Sequence, residues 1–498
     1  MSLATIHSRA RLGIDAPAVQ VEVHLANGMP SLTLVGLPET AVRESKDRVR
    51  SALLNAQLEF PGSKRITISL APADLPKDGG RFDLAIALGL LAASGQIPAQ
   101  ALTDCESIGE LALSGELRPI QGVLPVALAC RDAGRKLILP AANAAEAALV
   151  SGIELIAADH LLPLCAHLRG EQCLPDLPPT APSEPARHAD LADVQGQEQA
   201  KRALIIAASG GHNLLLFGPP GTGKTLLASR LPGILPPLAE QEALEVAAIQ
   251  SVCDRTPLSA WPARPFRSPH HGASAAALVG GGSQPRPGEI SQAHHGVLFL
   301  DELPEFDRKV LEMLREPLES GAIHIARARE QLRFPARFQL VAAMNPCPCG
   351  YLGDPNGRCR CTPEQIQRYR NKLSGPLLDR IDLHLTVARE ATALNAAPQT
   401  GQSSAVLAAQ VAQARQLQLA RQGCANAFLG LAGLRSHCQL GIEDQTWLER
   451  ACERLALSLR AAHRLLKVAR TLADLEQAER ISRQHLAEAL QYRPGSQG

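Results

Sequence analysis

The first third of the chain alternates short apolar runs with longer helical segments. In the runs 20–23, 31–35 and 65–70, apolar residues recur at every second position, which is typical of half-buried strands. The segments 38–57 and 83–93 have helix-forming composition and lie between or after these strands. The pattern therefore predicts a mixed α/β or α+β domain over residues 1–173.

A proline-rich stretch follows this domain, and the pattern beyond it differs. Prolines fix φ and remove hydrogen-bond donors, so residues 174–189 are expected to form a linker. Apolar runs at 213–217 and 338–344 then predict buried strands of a second α/β unit, over 190–392. From residue 393 to 498 the pattern is almost wholly helical, with a break in the glycine-containing stretch 423–433, which predicts a helical lid.

Composition places the chain among ordinary soluble proteins. Its 498 residues are too many for one core, and the hydrophobic and charged fractions are 45% and 20%. A formal net charge of +1 excludes a globally basic nucleic-acid binder, though it permits local basic patches. The first residues lack the apolar core of a signal peptide, and the run 84–93 is too short to cross a bilayer. We therefore expect a cytoplasmic protein whose 12 cysteines are free thiols or metal ligands.

A glycine-rich loop follows the strand predicted at 213–217 and precedes a helical segment. It fits the G-x-x-x-x-G-K-[ST] pattern that holds nucleotide phosphates, and its residues are Gly218, Pro219, Pro220, Gly221, Thr222, Gly223, Lys224 and Thr225. The three glycines let backbone N–H groups curl around phosphate oxygens. We expect Lys224 to contact the β and γ phosphates of ATP, and the Thr225 hydroxyl to bind Mg²⁺.

Carboxylates and an amide end the two apolar runs that come later. Asp301 and Glu302 follow the run 296–300, and Asn345 follows the run 338–344. At the carboxyl end of a parallel strand, Asp301 is expected to hold Mg²⁺ through water and Glu302 to orient or deprotonate the attacking water. Asn345 is expected to position the same water. The alternative is that the two carboxylates merely cap the next helix.

In this order the motifs resemble those of the AAA+ ATPases, and more narrowly the magnesium-chelatase-like subgroup. The loop 218–225, the strand ending in Asp301 and Glu302, and the strand ending in Asn345 are similar to Walker A, Walker B and sensor 1. The segment 374–385 is similar to the one that carries the arginine finger. The resemblance implies that Arg380 reaches into the site of a neighbouring subunit, and hence a ring, with a homo-hexamer expected. A local salt bridge with Asp379 or Asp382 is the alternative for Arg380.

The segment 458–475 is predicted to be an amphipathic helix with basic residues at helical spacing. Arg460, Arg464, Lys467 and Arg470 can share one of its faces. In the resembled family, an arginine in this segment acts as sensor 2 and contacts the γ phosphate. The resemblance favours Arg460 for this role, with Arg464 as the second candidate, and a solvated basic face is the alternative.

A narrower resemblance extends over essentially the whole chain. The segments 264–282, 285–296 and 297–306, followed by 341–350 and 374–384, are similar to those of the ComM/YifB family of magnesium-chelatase-like proteins. This resemblance implies ATP-driven branch migration of DNA by a hexameric ring in natural transformation and homologous recombination. The alternative is a chelatase-type chaperone subunit that drives metal insertion or protein remodelling.

Two basic stretches suit sequence-independent contact with a DNA backbone. The first stretch lies beside the glycines 280–282. The second lies just before the strand at 338–344, where a hairpin that faces a central pore is expected. The candidate DNA contacts are Arg264, Arg267, His270, His271, Arg286, Arg327, Arg329 and Arg333. Pairing of these arginines with acidic residues between subunits is the alternative.

Two C-x-C pairs follow Asn345 directly. Cys347, Cys349, Cys359 and Cys361 match the ligand set of tetrahedral zinc, which stabilises short loops that lack a core. We expect a structural zinc ion here, with unliganded thiols as the alternative.

The N-terminal segments 75–83 and 115–122 are similar to parts of the Lon-type protease domain, which implies a ribosomal S5 domain 2-like α+β fold. Arg81 stands where that family has its nucleophilic serine, and Leu124 where a lysine is expected. Without a hydroxyl and its amine base, peptide hydrolysis has no chemistry to use. We therefore expect a non-proteolytic relative in which Lys77 and Arg81 are candidate DNA contacts, although a structural role is favoured for both.

Overall fold

The computed structural model describes residues 2–36, 42, 44–77, 79–175, 188–253, 261–282, 285–326, 331–353, 356–388 and 402–493. The chain divides into two compact units. The N-terminal unit comprises Met1–Pro185 and Ala243–Pro262, and the C-terminal unit comprises Ala186–Glu242 and Ala263–Gly498. The sequence pattern did not indicate that 243–262 belongs with the N-terminal unit. Boundaries of a separate linker at 174–189 and a lid from 393 fall largely on residues outside the described ranges and stay predictions.

The N-terminal unit contains nine strands among its described residues. They are β1 Ser2–Arg9, β2 Ala18–Ala26, β3 Ser31–Val35, β4 Arg65–Ala71, β5 Cys105–Ser107, β6 Glu110–Leu111, β7 Leu117–Arg118, β8 Lys136–Pro140 and β9 Leu155–Ala158. Its helices are α1 Ser45–Asn55, α2 Asp83–Ala93, α3 Val123–Asp132, α4 Ala144–Ala147 and α5 Leu161–Leu168. Most of α8, Glu240–Val252, also belongs to this unit.

Seven of these strands form one mixed sheet in the order β3-β4-β2-β1-β5-β8-β9. Strand β2 pairs antiparallel with both β1 and β4, whereas β5, β8 and β9 are parallel. The alternation in β2 buries Val19, Val21 and Val23 completely, as its period-two pattern predicts. The unit is therefore α/β in composition, with antiparallel strands at its centre.

The apolar run 84–93 forms the core helix α2, which packs on β1 and β2. A Cβ added at Gly89 would lie 2.6 Å from Cγ2 of Val23, so glycine permits the close approach of helix and sheet. Among the described residues, no helix is both long enough and apolar enough to cross a membrane.

An ion pair between a partly exposed arginine and a buried aspartate joins α1 to the start of α2. Arg48 Nε lies 2.8 Å from Asp83 Oδ2, and Arg48 Nη2 lies 3.1 Å from Asp83 Oδ1. The Asp83 side chain is completely buried, and its carboxylate also accepts a hydrogen bond from Leu111 N. Burial raises the pKa of Asp83, although Arg48 opposes the shift. The pair is thus costly to form, and costly to break by removal of one partner.

We predict that Asp83→Ala lowers the free energy of unfolding by about 3 kcal/mol, because it leaves the Arg48 guanidinium without its buried partner. Urea unfolding of the full chain, followed in the transition of the N-terminal unit, measures the change. Glu44→Ala is the matched control, since Glu44 lies 3.7 Å from the same arginine but is exposed. Equal losses of unfolding free energy in the two variants would contradict the stabilising role of the Arg48–Asp83 pair.

The C-terminal unit contains the remaining described strands and helices. The strands are β10 Leu214–Phe217, β11 Phe266–Arg267, β12 Gly280–Gly281, β13 Arg286–Pro287, β14 Val297–Leu300, β15 Ala322–Ala326, β16 Gln331–Pro335, β17 Gln339–Met344 and β18 Leu383–Thr386. The helices are α6 Glu198–Gly210, α7 Lys224–Arg230, α9 Ala275–Val279, α10 Glu289–Gln292, α11 Arg308–Met313, α12 Arg315–Ser320, α13 Pro363–Arg370, α14 Gly375–Leu378, α15 Ser404–Gln422, α16 Leu431–His437, α17 Ile442–Arg454, α18 Leu459–Leu475 and α19 Arg483–Gln491.

Five of its strands form an all-parallel sheet in the order β11-β14-β17-β10-β18. Every residue of β14 and β17 is buried, as expected for parallel strands that are covered on both faces. The buried strands predicted at 213–217 and 338–344 are therefore confirmed. Since all five strands point the same way, their carboxyl ends lie at one edge of the sheet.

The helical pattern predicted after residue 393 is present from α15 to α19. Leu407, Leu465 and Leu486 belong to the same hydrophobic core as Leu204 of α6 and Leu214 of β10. These C-terminal helices thus share the core of the C-terminal unit.

Two short antiparallel hairpins lie outside the parallel sheet. Strands β12 and β13 form the first, and β15 and β16 form the second. The second hairpin confirms the one expected just before the strand at 338–344.

Candidate nucleotide site

Three predicted motifs meet at the carboxyl edge of the parallel sheet. The loop 218–225 follows β10, Asp301 and Glu302 follow β14, and Asn345 follows β17, which lies between the other two strands. Ligands of open α/β sheets bind at this edge. The sheet order therefore brings the loop, the carboxylates and the amide together although they are far apart in sequence.

Glycine is required at several positions of the loop 218–225. A Cβ at Gly218 would lie 2.3 Å from the carbonyl oxygen of Val387, the residue directly after β18. Gly221 and Gly223 have φ angles of 76° and 83°, and Gly223 directly precedes α7. The backbone thus takes the left-handed turns that, in phosphate-binding loops, let N–H groups of the loop and of the helix start surround an anion.

Lys224 is buried beneath this loop. Its Nζ donates to Gly218 O at 2.7 Å, to Pro219 O at 2.8 Å and to Asn345 Oδ1 at 3.1 Å. Burial lowers the pKa of Lys224, and the nearby Asp301 and Glu302 carboxylates oppose that shift. One ammonium group therefore ties the loop to the end of β17.

The groups expected to hold Mg²⁺ lie side by side. The Thr225 hydroxyl donates to Asp301 Oδ2 at 2.7 Å, and Asp301 Oδ1 accepts from Glu302 N at 2.9 Å. A hydroxyl beside a carboxylate at the end of a phosphate loop is the oxygen donor set that Mg²⁺ takes with nucleotide phosphates. These residues therefore fit the ion, through Thr225 and Asp301.

Glu302 has a left-handed backbone with φ of 51°, which is uncommon for a residue other than glycine. Its side chain is half exposed and makes no capping hydrogen bond to the short helical turn that follows. The next α-helix is instead capped by Asp307. The capping alternative for Glu302 is thus without support, and the strained backbone is typical of residues at functional sites.

His271 lies at this site, which the sequence did not indicate. Its Nδ1 is 3.4 Å from Glu302 Oε2, and its ring lies against that of His270, tilted by 33° with centroids 4.1 Å apart. Both histidines stay candidate DNA contacts from the sequence, and the structure adds that His271 lies beside the Glu302 carboxylate. His270 is exposed.

Arg380 lies at the opposite edge of the same sheet. It precedes β18, and its carbonyl accepts from Asn213 Nδ2, just before the start of β10. The guanidinium is almost fully buried, donating to Pro376 O at 2.6 Å and to Glu319 Oε1 at 2.5 Å. A salt bridge therefore exists, but its partner is Glu319 rather than the Asp379 or Asp382 of the local alternative.

Arg460 donates to the same oxygen of Glu319. The two arginines are thus neighbours at one carboxylate, and together they lower its pKa. Arg464 instead pairs with the buried Asp382 at 2.9 Å. Burial would raise the pKa of Asp382, but His212 and Arg464 bring it down to about 2, so Arg464 is committed to a buried ion pair.

The proposed DNA contacts are divided between interior and surface. Arg264 donates to the carbonyls of Pro236 and His295, and burial lowers its pKa. Arg267 forms a bidentate pair with Glu289 at 2.5 and 2.6 Å. These contacts argue against a DNA role for Arg264 and Arg267, because their donors hold the unit itself together.

Two proposed contacts lie on the hairpins and are exposed. Arg286 is in β13 and Arg333 in β16. Arg327 and Arg329 lie outside the described residues.

Four thiols converge after β17. Cys347 Sγ lies 3.4 Å from Cys349 Sγ and 3.7 Å from Cys359 Sγ. The Sγ atoms of Cys349 and Cys359 are also 3.7 Å apart. With Cys361, all four sulfur atoms lie within 4.8 Å of one another. Two C-x-C pairs thus come together as the sequence pattern predicts.

In the N-terminal unit, the positions compared with a protease dyad are buried. Arg81 donates to Gln121 O at 2.8 Å, and Leu124 is completely buried. Lys77 is also completely buried, and its Nζ donates to the carbonyls of Gly36, Pro72 and Leu75. These internal contacts support the structural role favoured for Lys77 and Arg81, and they argue against the DNA-contact alternative.

Comparison with known families agrees with this geometry. The model described as "Magnesium chelatase, subunit ChlI" matches residues 190–394, which contain the parallel sheet. "Subunit ChlI of Mg-chelatase" matches 21–143, and "Magnesium chelatase, subunit ChlI C-terminal" matches 401–493. The C-terminal unit is thus a magnesium-chelatase-like AAA+ core, a class that points to ATP and Mg²⁺ as ligands and to ATPase activity.

Relatives that match over nearly the full chain identify the family within this class of AAA+ proteins. The protein YifB of Salmonella typhimurium is 55% identical over 99% of this chain and 97% of its own length. Competence protein ComM of Haemophilus influenzae is 52% identical over 99% of this chain and 98% of its own length. The magnesium-chelatase 38 kDa subunit of Cereibacter sphaeroides is 29% identical over 31% of this chain and 51% of its own length. The chain belongs to the ComM/YifB family.

We predict that Lys224→Ala weakens ATP binding by roughly 100-fold, because a buried ammonium contributes charge-assisted hydrogen bonds to two phosphates. Calorimetric titration with ATP and Mg²⁺ measures the affinity. Lys136→Ala is the control, since Lys136 is an exposed lysine of the N-terminal unit that pairs with Glu154. Unchanged affinity in a folded Lys224→Ala protein would contradict the assignment.

Proposed function

We propose that this protein is an ATP hydrolase that works as a hexameric ring and uses ATP to drive branch migration of DNA, in natural transformation and homologous recombination. One observation carries the ATPase part. The phosphate loop, the two carboxylates and Asn345 converge at the carboxyl edge of the parallel sheet, whereas Arg380 lies at its amino edge.

Each residue of the site has a role that its contacts support. Lys224 exchanges its loop carbonyls for the β and γ phosphates, and Asn345 orients the attacking water. Glu302, half exposed beside Asp301, accepts a proton from that water or aligns it. When bound through Thr225 and Asp301, Mg²⁺ offsets the negative charge that develops on the phosphates.

The position of Arg380 supports a site shared between subunits. Strand β10 has four residues and separates the loop from the Arg380 side by roughly 13 Å, at about 3.3 Å per residue. The hydrogen bonds described for the guanidinium go to Pro376 and Glu319 rather than to the phosphate loop of its own chain. We assign it to the site of the next subunit, where the γ phosphate replaces Glu319 as its anionic partner. Arg460, bound to the same carboxylate, is assigned with it.

The DNA part rests on the relatives and on the hairpins. The Haemophilus influenzae relative is named a competence protein, and it matches this chain over nearly its full length. Exposed Arg286 and Arg333 lie on two hairpins of the AAA+ unit, where they are suited to phosphate contacts without base recognition. The second candidate function is a chelatase-type chaperone subunit, which is favoured by the names of the family models alone.

The remaining segments have supporting roles in this proposal. Helices α15 to α19 form the lid of the ATPase. The N-terminal unit is a Lon-protease-like domain without proteolytic activity, which the burial of Arg81 and Leu124 supports. We assign the protein to the cytoplasm, where DNA and ATP are both available.

We predict that branched DNA stimulates ATP hydrolysis by the purified protein, and that the protein moves labelled four-way junctions only when ATP is hydrolysed. Glu302→Gln should retain ATP binding but lose turnover by roughly 10² to 10⁴-fold, because it removes the carboxylate that acts on water. Glu305→Gln is the matched control, an exposed glutamate three residues on that pairs with Lys372.

A rate of ATP hydrolysis that is the same with and without DNA would refute the DNA motor. It would favour the chelatase-type chaperone subunit. Full turnover in Glu302→Gln would refute the role of that residue.

We predict that Lys224→Ala and Arg380→Ala proteins are each inactive in ATP hydrolysis but recover activity when they are mixed. In an equal random mixture, about a quarter of the interfaces combine an intact Lys224 with an intact Arg380 of the neighbour. ATPase assays on mixtures of varied ratio measure the recovery. Wild-type levels of hydrolysis by Arg380→Ala alone, or mixtures without any recovery, would overturn the shared site.

A further inference from the structure

The loop that follows β17, residues 345–362, has little core of its own. None of its described residues from Asn345 to Thr362 lies in a helix or strand, and from Tyr351 onward none of them is buried. The part from Tyr351 onward buries no apolar side chain among its described residues, so burial does not offset the conformational entropy lost when it is ordered. A cross-link is therefore needed to hold it.

The spacing of the four sulfur atoms identifies the cross-link. Separations of 3.4 to 3.7 Å exclude disulfides, whose sulfur atoms lie about 2.0 Å apart. A tetrahedral zinc ion with bonds of about 2.3 Å to sulfur places its ligands about 3.8 Å apart. The backbone N–H groups of Tyr351 and Arg360 also hydrogen-bond to Cys349, as partners of a metal-bound thiolate do.

The same loop contacts the nucleotide site at two points. Gly350 lies between the two cysteine pairs, and a Cβ there would be 2.7 Å from Cδ of Pro220 in the phosphate loop. Cys347 is two residues beyond Asn345, whose amide oxygen binds Lys224. The Tyr369 hydroxyl, from the helix that follows the cysteines, hydrogen-bonds to the backbone of Asn345.

We propose that Cys347, Cys349, Cys359 and Cys361 bind one structural Zn²⁺, and that the metal-bound loop positions Pro220 and Asn345 for ATP binding. The metal part stands by itself, and the positioning part rests on the proposed function. All four ligands come from protein thiolates, which closes the coordination shell and gives the metal a structural role. The metal-bound loop 345–362 thus acts as a positioning element for the phosphate loop 218–225.

Metal content of the full-length protein, purified without an affinity metal column, tests the first part. We expect about one zinc ion per chain and no iron. Cys349→Ser and Cys359→Ser should lose the zinc, whereas Cys173→Ser, at an exposed cysteine elsewhere, should keep it. Since the ligand variants can also fail to fold, a mercurial reagent that releases zinc from the wild type into a colorimetric dye provides a second measurement. A folded wild type without zinc, or one that holds iron instead, overturns the site.

A pair of glycine variants tests the positioning part without touching a ligand. Gly350 and Gly353 have φ angles of 80° and 82°, so alanine strains both backbones equally. Only at Gly350 does the added Cβ meet Pro220, since nothing lies within 4 Å of a Cβ at Gly353. Gly350→Ala should therefore weaken ATP binding by roughly tenfold with zinc retained, and Gly353→Ala should not.

Equal ATP affinities of the two glycine variants would overturn the positioning role. If the wild type holds zinc but does not bind ATP, the proposed function fails while the metal site stands. If the wild type binds ATP but holds no zinc, the metal site fails while the proposed function stands.

Discussion

Parallel pairing of five short strands is the constraint on which the site depends. Because β14, β17 and β10 run side by side in one direction, the residues after each strand meet at one edge. The separation of these residues along the chain is then irrelevant: Lys224 and Asn345 are 121 positions apart and share a hydrogen bond. An antiparallel neighbour anywhere in this set would have moved one motif to the opposite edge.

Burial makes this edge sensitive to small changes. Lys224 is a buried cation whose hydrogen bonds go to loop carbonyls and one amide, so the loop conformation and the lysine position depend on each other. Gly218 has no room for a side chain beside Val387, and Gly350 none beside Pro220. The phosphate loop is therefore fixed from two sides, by Val387 directly after β18 and by Gly350 of the loop that holds the four cysteines. Dense packing of this kind transmits strain rather than absorbing it.

The parts of the fold that follow from local pattern were predictable. Buried strands, the glycine loop and the carboxylate positions could be read from the sequence because each depends on neighbouring residues. The salt bridge of Arg380 could not, since its partner Glu319 is 61 positions away and no spacing rule connects them. For the same reason the sequence could not indicate that Arg264 donates to backbone carbonyls and Arg267 to Glu289, because an arginine gives no local sign of its partner. The return of 243–262 to the N-terminal unit is likewise a product of tertiary packing, through residues such as Leu244 and Ala247.

If Arg380 completes the site of a neighbouring subunit, as we propose, the two edges of the parallel sheet also determine the kind of assembly that can form. A chain that holds nucleotide at one edge and offers Arg380 at the other must use two different surfaces for its two neighbours, which makes the contact head-to-tail. A pair of such chains related by a two-fold axis would bury the same surface twice and leave the opposite edge without a partner. The catalytic unit is then the interface, and the number of complete sites equals the number of chains only if the assembly closes on itself. In an open arc, one chain at the end binds nucleotide at a site that lacks Arg380 from a neighbour.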